Sequence, residues 1–243
     1  MAAFIKSGGR DELLPLLDWY QRQLKQLGVG LHLNREVTAD VIKAAAPDVV
    51  ILAVGGRPLD PAVHNGSKVI TTESLKNNAK GFVRLLGPEA MAALTKVFLP
   101  TGKRVVVVGS DLAGLETVEF LAKRGKAVTL VDQAEQIGRG VGIPQMIKYP
   151  LWLQAMHIPV YTGVRYKEVN RDGLVIETKD GQTQTLECDT VVVVSQYQQN
   201  TSLYEALAGV VPERHLIGDS RHADGPGYIH GAIHDGARAG LAV

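Results

Sequence analysis

The sequence predicts an α/β protein built around a parallel sheet with a Rossmann-like βαβ unit, and three observations carry that prediction. Lys103-Arg104 leads into Val105 to Val108, a run of β-branched residues with no polar alternation, the pattern of a strand buried on both faces. It leads into Gly109-Ser110-Asp111-Leu112-Ala113-Gly114, a helical segment, and a second apolar run, Ala127 to Val131, that ends at Asp132. Further apolar runs alternate with helical segments at Asp48 to Val54, Thr190 to Val194 and His215 to Gly218, which is how parallel strands are spaced.

The remaining elements follow in order. Leu13, Leu14, Leu17, Tyr20, Leu24 and Leu27 recur at a helical period, so 11–27 is expected to be an amphipathic helix stopped by Gly28. Val29 to Leu33 is expected as a short strand, and 38–46 as a helix capped by Thr38. The strand at 48–54 runs into Gly55-Gly56-Arg57-Pro58. Residues 61–102 read as a connector carrying a helix near 88–98. Past Asp132, a helix is expected over 143–156. Three alternating segments, 164–169, 173–178 and 182–188, are separated by the turns Arg171-Asp172 and Asp180-Gly181 and form an antiparallel meander. A short helix at 201–207 and a Gly- and Ala-rich helix over 227–243 complete the chain.

Residue types in the central unit match the demands of dinucleotide binding. A glycine lets the chain turn sharply after the strand, another lets the helix pack close to it, and amides at the helix start face a pyrophosphate. Gly109 and Gly114 supply the two outer glycines. Asp132 stands where a carboxylate accepts from a ribose diol, which favours NAD(H) over NADP(H). The middle glycine of the pattern is replaced by Asp111. Its charge repels a pyrophosphate if it points at the ligand; turned inward, it caps the helix that begins near Leu112.

Charge and cysteine content remove several functions. The 243 residues carry 26 Lys and Arg against 25 Asp and Glu, interspersed, so nucleic acid and anionic membrane surfaces are not expected partners. Cys188 is the only cysteine, which excludes an intrachain disulfide, a Cys-x-x-Cys pair and a cysteine-rich metal site. No apolar run reaches membrane-spanning length, and the first residues lack a signal-peptide pattern, so the cytoplasm is the expected location.

Other chemistries are poorly supported. His230 and His234 lie one helical turn apart but have no evident third ligand, so no metal is expected. His222-Ala223-Asp224 reads as a loop. Ser110 lacks the glycine two positions on that a nucleophile elbow requires. No tyrosine has a lysine four residues later, as a short-chain dehydrogenase needs.

Four motifs in a fixed order carry a family resemblance: 50–58, 105–116, Leu216-Ile217-Gly218-Asp219 and 229–239. Together they resemble the pyridine-nucleotide-dependent flavoprotein fold, and most closely the C-terminal half of the NADH:flavin oxidoreductases that include 2,4-dienoyl-CoA reductase and trimethylamine dehydrogenase. The resemblance implies an NAD(P)-binding domain, 101–198, inserted in a partial FAD- or ADP-binding domain, 1–75 with 199–243, through a helical connector at 76–100. It implies Gly55, Gly56 and Arg57 beside the first nucleotide, Asp219 on its ribityl chain, and Ile229 and His230 against the flavin ring. Glu116 matches the acidic residue near the nicotinamide.

The chain starts after the first glycine-rich unit of that family, so it reads as a fragment or short subunit that holds FAD weakly when alone. The resemblance also implies a barrel domain with FMN and an iron–sulfur cluster, supplied upstream or by a partner subunit, and is compatible with a homo-oligomer. Ser195 to Asn200 replaces the glycine and proline usual at the exit of the inserted domain.

Overall fold

The computed structural model describes residues 13–60, 63, 66, 68–75, 77, 90, 93–95, 98–222 and 229–243. Its contacts divide the chain into two units, one of Asp60–Ser195 with the described residues up to Gly28, the other of Val29–Leu59 with Gln196–Val243.

The first unit is organised by a five-stranded parallel sheet. Its strands are β3 (Val69–Thr71), β4 (Arg104–Val108), β5 (Ala127–Val131), β6 (Val160–Tyr161) and β10 (Thr190–Val193), in the order β3-β10-β4-β5-β6. Successive side chains on a strand point to opposite faces, and the continuous apolar runs use both. Val105 and Val107 of β4 pack with Val128, Leu130 and Val192 on one face. Two helices cover that face, α3 (Leu112–Ala122) through Leu115, Val118 and Leu121, and α4 (Ile143–Ala155) through Tyr149 and Leu153. Val106 and Val108 point the other way, with Val131, Val191 and Val193. Against them lies the antiparallel meander of β7 (Arg165–Val169), β8 (Gly173–Glu177) and β9 (Thr183–Glu187), through Leu174, Ile176 and Leu186. Cys188 is buried in the same cluster, and burial pushes its thiol above the ordinary value.

The second unit centres on two parallel strands, β1 (Val49–Leu52) and β12 (Glu213–Leu216), paired from Val49 with Glu213 to Leu52 with Leu216. Helix α2 (Ala39–Ala45) and the short α5 (Ser202–Ala206) flank a core of Ile42, Leu52, Leu207 and Val211. Thr38 caps α2 as expected, its hydroxyl accepting from the Val41 amide at 3.4 Å. A two-residue antiparallel pair joins β2 (Arg57–Pro58) to β11 (Tyr197–Gln198), a 3-10 turn spans Gly218–Ser220, and α6 (Ile229–Ala242) closes the unit.

Several expectations are corrected. Residues 29–33 form no strand; Val29, Leu31 and Leu33 alternate as a strand would, yet all three are exposed and no described strand pairs with them. The division at 75 and 199 is replaced by one near 60 and 195, because Val69–Thr71 pairs in parallel with Val191–Val193 and so belongs to the sheet of the inserted unit. Helix α1 (Leu14–Gln26) also clusters with that unit, and none of its residues is buried despite the helical period. Of the helix expected near 88–98, residues 90 and 93–95 are described and helical, and most of the connector at 76–100 lies outside the described residues.

Candidate nucleotide-binding sites

Each unit presents one glycine-centred turn at the end of a parallel strand. In the first, β4 ends at Gly109, whose φ of +104° is open to glycine and strained for other residues. The Gly109 amide donates to Val131 O at 2.9 Å, tying the loop to the end of β5. Gly114 is required sterically: a Cβ there would lie 2.0 Å from the Gly109 carbonyl oxygen. The two outer glycines thus perform the turn and the close helix approach expected of them.

Asp111 takes the inward orientation. It is the N-cap of α3, with extended backbone, and its Oδ1 accepts from the Gly114 amide at 2.9 Å. That amide is one of the donors a helix start offers an anion, and the chain's own carboxylate holds it. The Asp111 carboxylate is therefore bound at the helix N-terminus and turned back onto its own helix.

Asp132 is also engaged. Its Oδ2 accepts from the Ser110 amide at 2.6 Å and from the Ser110 hydroxyl, and its Oδ1 accepts from the Ala134 amide at 2.8 Å. Ser110 is 1% exposed and its carbonyl accepts from the Gly138 amide at 2.7 Å, so the buried loop and the two strand ends form one network. The carboxylate retains lone pairs beyond these three bonds, but it is fixed against the loop and not free to reorient. Burial, and then the Asp132 charge, push the nearby Tyr166 phenol well above its ordinary value. Glu116 is half-buried on α3, and Gly109, Ser110, Asp111, Gly114, Glu116 and Asp132 gather at one end of the sheet.

In the second unit, β1 runs into Gly55, with φ of +76° and no atom within 4 Å of a Cβ built there, so the turn is open. Gly56 is the opposite case. A Cβ would lie 2.9 Å from Tyr197 Cβ and 3.2 Å from Gln198 O, because the β2–β11 pair passes directly over it. Arg57 is exposed at the start of β2, where its guanidinium donates to the Gln198 amide oxygen at 3.0 Å with that amide turned toward it. Asp219 is exposed in the 3-10 turn, and its carbonyl oxygen would be 3.6 Å from a Gly56 Cβ. Gly55, Gly56 and Asp219 are therefore brought together. Ile229 and His230 are exposed in the first turn of α6, His230 with its ring 6.4 Å from that of His234.

Sequence reasoning missed the pairing that anchors this turn. Asp235 on α6 is buried; its Oδ2 accepts from the Gly218 amide at 3.0 Å and lies 2.9 Å from His222 Nε2. The His222 hydrogen bond, and then the Gly218 amide, hold the Asp235 carboxyl below its usual range. Asp224, the sequence neighbour considered for His222, lies outside the described residues. Buried Ser220 donates to Ile217 O at 2.6 Å and to Leu52 O at 3.3 Å, linking the ends of β12 and β1. Among the described residues no group of three His, Cys, Asp or Glu side chains could hold a metal ion, and no helix is long and apolar enough to cross a membrane.

A Rossmann-like βαβ unit with a glycine-rich loop, together with a second parallel pair ending in Gly55-Gly56, defines an α/β protein with the fold of the pyridine-nucleotide-dependent flavoproteins. Residues 38–217 match the pyridine nucleotide-disulphide oxidoreductase family, and the chain belongs to it. It is similar to a cinnamate reductase of Clostridium sporogenes, 26% identical over 87% of this chain and 29% of that protein. An NADH oxidase of Thermoanaerobacter brockii is 26% identical over 98% of this chain and 34% of its own length. Among solved structures, a 2-naphthoyl-CoA reductase in complex with 2-naphthoyl-CoA superposes with a TM-score of 0.81 at 28% identity, over all of this chain and 34% of that one. The chain thus spans about a third of the length of these relatives.

Proposed function

We propose that this chain is the nucleotide-binding portion of a flavin-dependent oxidoreductase, in which hydride passes from NADH to FAD and on to redox centres outside the chain. The observation that carries this reading is the family match over 38–217, which spans both the Gly55-Gly56 turn and the Gly109–Gly114 loop. In this reading Gly55, Gly56 and Asp219 serve FAD, with Ile229 and His230 at the helix start nearest the flavin ring. Gly109, Ser110, Gly114, Glu116 and Asp132 serve NADH. Reductases and an oxidase among the relatives support the redox chemistry, and their greater length supports a further domain or partner subunit that holds substrate, with FMN and iron–sulfur there.

A second reading, a non-catalytic module that binds ADP or scaffolds an assembly, draws support from one contact: the Asp111 carboxylate occupies the Gly114 amide. One experiment separates the two. Binding of FAD and of ADP is measured by calorimetry, and the chain in the presence of saturating FAD is titrated anaerobically with NADH while its blue absorbance is followed. Bleaching faster than that of free FAD supports the oxidoreductase reading. FAD or ADP binding without such bleaching supports a nucleotide-binding module, and binding of neither defeats the oxidoreductase reading and leaves only the scaffold.

A further inference from the structure

Beside the Gly218–Ser220 turn, the second unit holds a cavity of about 490 Å³ lined by β12, α5, Gln199, Arg221 and α6. The helix makes room for it. Asp235, Arg238, Ala239 and Ala242 line the cavity at i, i+3, i+4 and i+7, one face of a helix, and the two alanines leave the space that larger side chains would fill. Leu216 and Ile217 add an apolar wall.

Three arginines line this space, Arg214, Arg221 and Arg238, and Arg221 and Arg238 are exposed at its rim. Arg214 is oriented by its chain surroundings: it donates to Tyr204 O and stacks over the Tyr204 ring at 4.4 Å. Arg221 has its backbone fastened, its amide donating to Gly218 O at 2.9 Å and its carbonyl accepting from the Gln199 side chain. Neither Arg221 nor Arg238 forms an ion pair with a described residue. The acid in the lining, Asp235, is already committed to the Gly218 amide and His222. Counting Asp235, the three arginines leave the lining with two net positive charges, in a chain whose net charge is +1.

We propose that this cavity is a binding site for a phosphate monoester with an apolar body. A phosphomonoester dianion matches both excess charges, and its tetrahedral oxygens accept from several guanidinium forks at once. A carboxylate neutralises one charge and engages a single fork. The apolar wall takes the organic part, which free phosphate lacks. The site borders the Gly218–Ser220 turn through Asp235 but uses neither Gly55, Gly56 nor Asp219, so its test does not rest on the redox reading above.

The test is titration calorimetry of the full chain at pH 8 with phenyl phosphate, inorganic phosphate, benzoate and phenol. Phenyl phosphate binds most tightly, inorganic phosphate more weakly, and benzoate and phenol weaker still. Arg221→Ala and Arg238→Ala each weaken phenyl phosphate about 10-fold or more, as loss of a charge-assisted contact does. Arg221→Gln and Arg238→Gln, which keep the side-chain bulk, weaken it as well and serve if an alanine variant unfolds. Equal affinity for benzoate and phenyl phosphate, or no measurable phenyl phosphate binding, overturns the proposal. Binding unaffected by all four substitutions also overturns it, because the phosphate then sits elsewhere.

Discussion

Asp111 Oδ1 accepts a hydrogen bond from the Gly114 amide at 2.9 Å, so the residue that breaks the dinucleotide fingerprint is also the cap of the helix that should receive the phosphate. A carboxylate at a helix N-terminus is stabilising in its own right, and here it uses the positive end of the helix that a pyrophosphate would otherwise use.

Two effects of Asp111 separate by substitution. Asp111→Ala loses the cap and is expected to cost about 1 kcal/mol in chemical denaturation. Asp111→Asn keeps a good cap while removing the charge, so stability changes little. If the charge limits cofactor access, the Asn variant binds NADH more tightly at low salt and the gain shrinks as salt rises. Calorimetric affinities that do not differ between the native protein and Asp111→Asn at low salt count against a repulsive role.

Gly114→Ala is expected to be far more damaging. A Cβ at 2.0 Å from the Gly109 carbonyl oxygen meets backbone that cannot swing aside, so strand loop and helix must separate. Overpacking of this kind costs about 3 kcal/mol or more. A denaturation midpoint within error of the native protein would show that the loop yields easily.

The Ser110–Asp132 link bears on cofactor choice. Asp132 is held by three donors, which fixes its carboxylate against the loop, and NADH is expected to bind more tightly than NADPH. Asp132→Asn removes the repulsion of a 2′-phosphate and should narrow the preference. Titration with both cofactors checks this, and tighter binding of NADPH by the native chain would contradict it. Ser110→Ala, which deletes one hydrogen bond to a carboxylate, is expected to cost about 1 to 2 kcal/mol.

Acid stability should report on Asp235. Its folded value lies below the ordinary carboxylate value, chiefly through His222 and then the Gly218 amide. A depressed group stabilises the fold above its unfolded pKa, roughly 4, and that stability is lost as pH falls through the lower folded value. Asp235→Asn should therefore be less stable than the native protein above about pH 5, with the margin closing below about pH 4. A margin that persists unchanged into acid would assign the effect to packing alone.

The local chemistry of the chain was readable because it is written at short range. The run from Val105 to Val108 has no polar residue to place outward, so it had to lie inside a sheet covered on both faces. The turn at Asp180-Gly181 and the alternation around it set the β8–β9 hairpin, and Thr38 marked the start of α2. Spacing alone also located the glycine pair around Asp111, since a turn and a close helix approach each demand glycine within a few residues.

Tertiary structure decided what depends on partners far away in the chain. Val69–Thr71 is too short to announce itself, and it is a strand only because β10 offers an open edge 122 residues later, at Val191 to Val193. Val29, Leu31 and Leu33 have the alternation of a strand and remain outside every sheet for want of a neighbour among the described residues. Side-chain identity named Asp111 and Asp132 as candidates. Only the folded loop shows both carboxylates already bonded, Asp111 to Gly114 and Asp132 to Ser110. The same holds for Asp235 with His222, and for the cavity that gathers Arg214, Arg221 and Arg238. Periodicity and capping are properties of a few consecutive residues, whereas hydrogen-bond partners and cavities are set by where distant strands and helices come to rest.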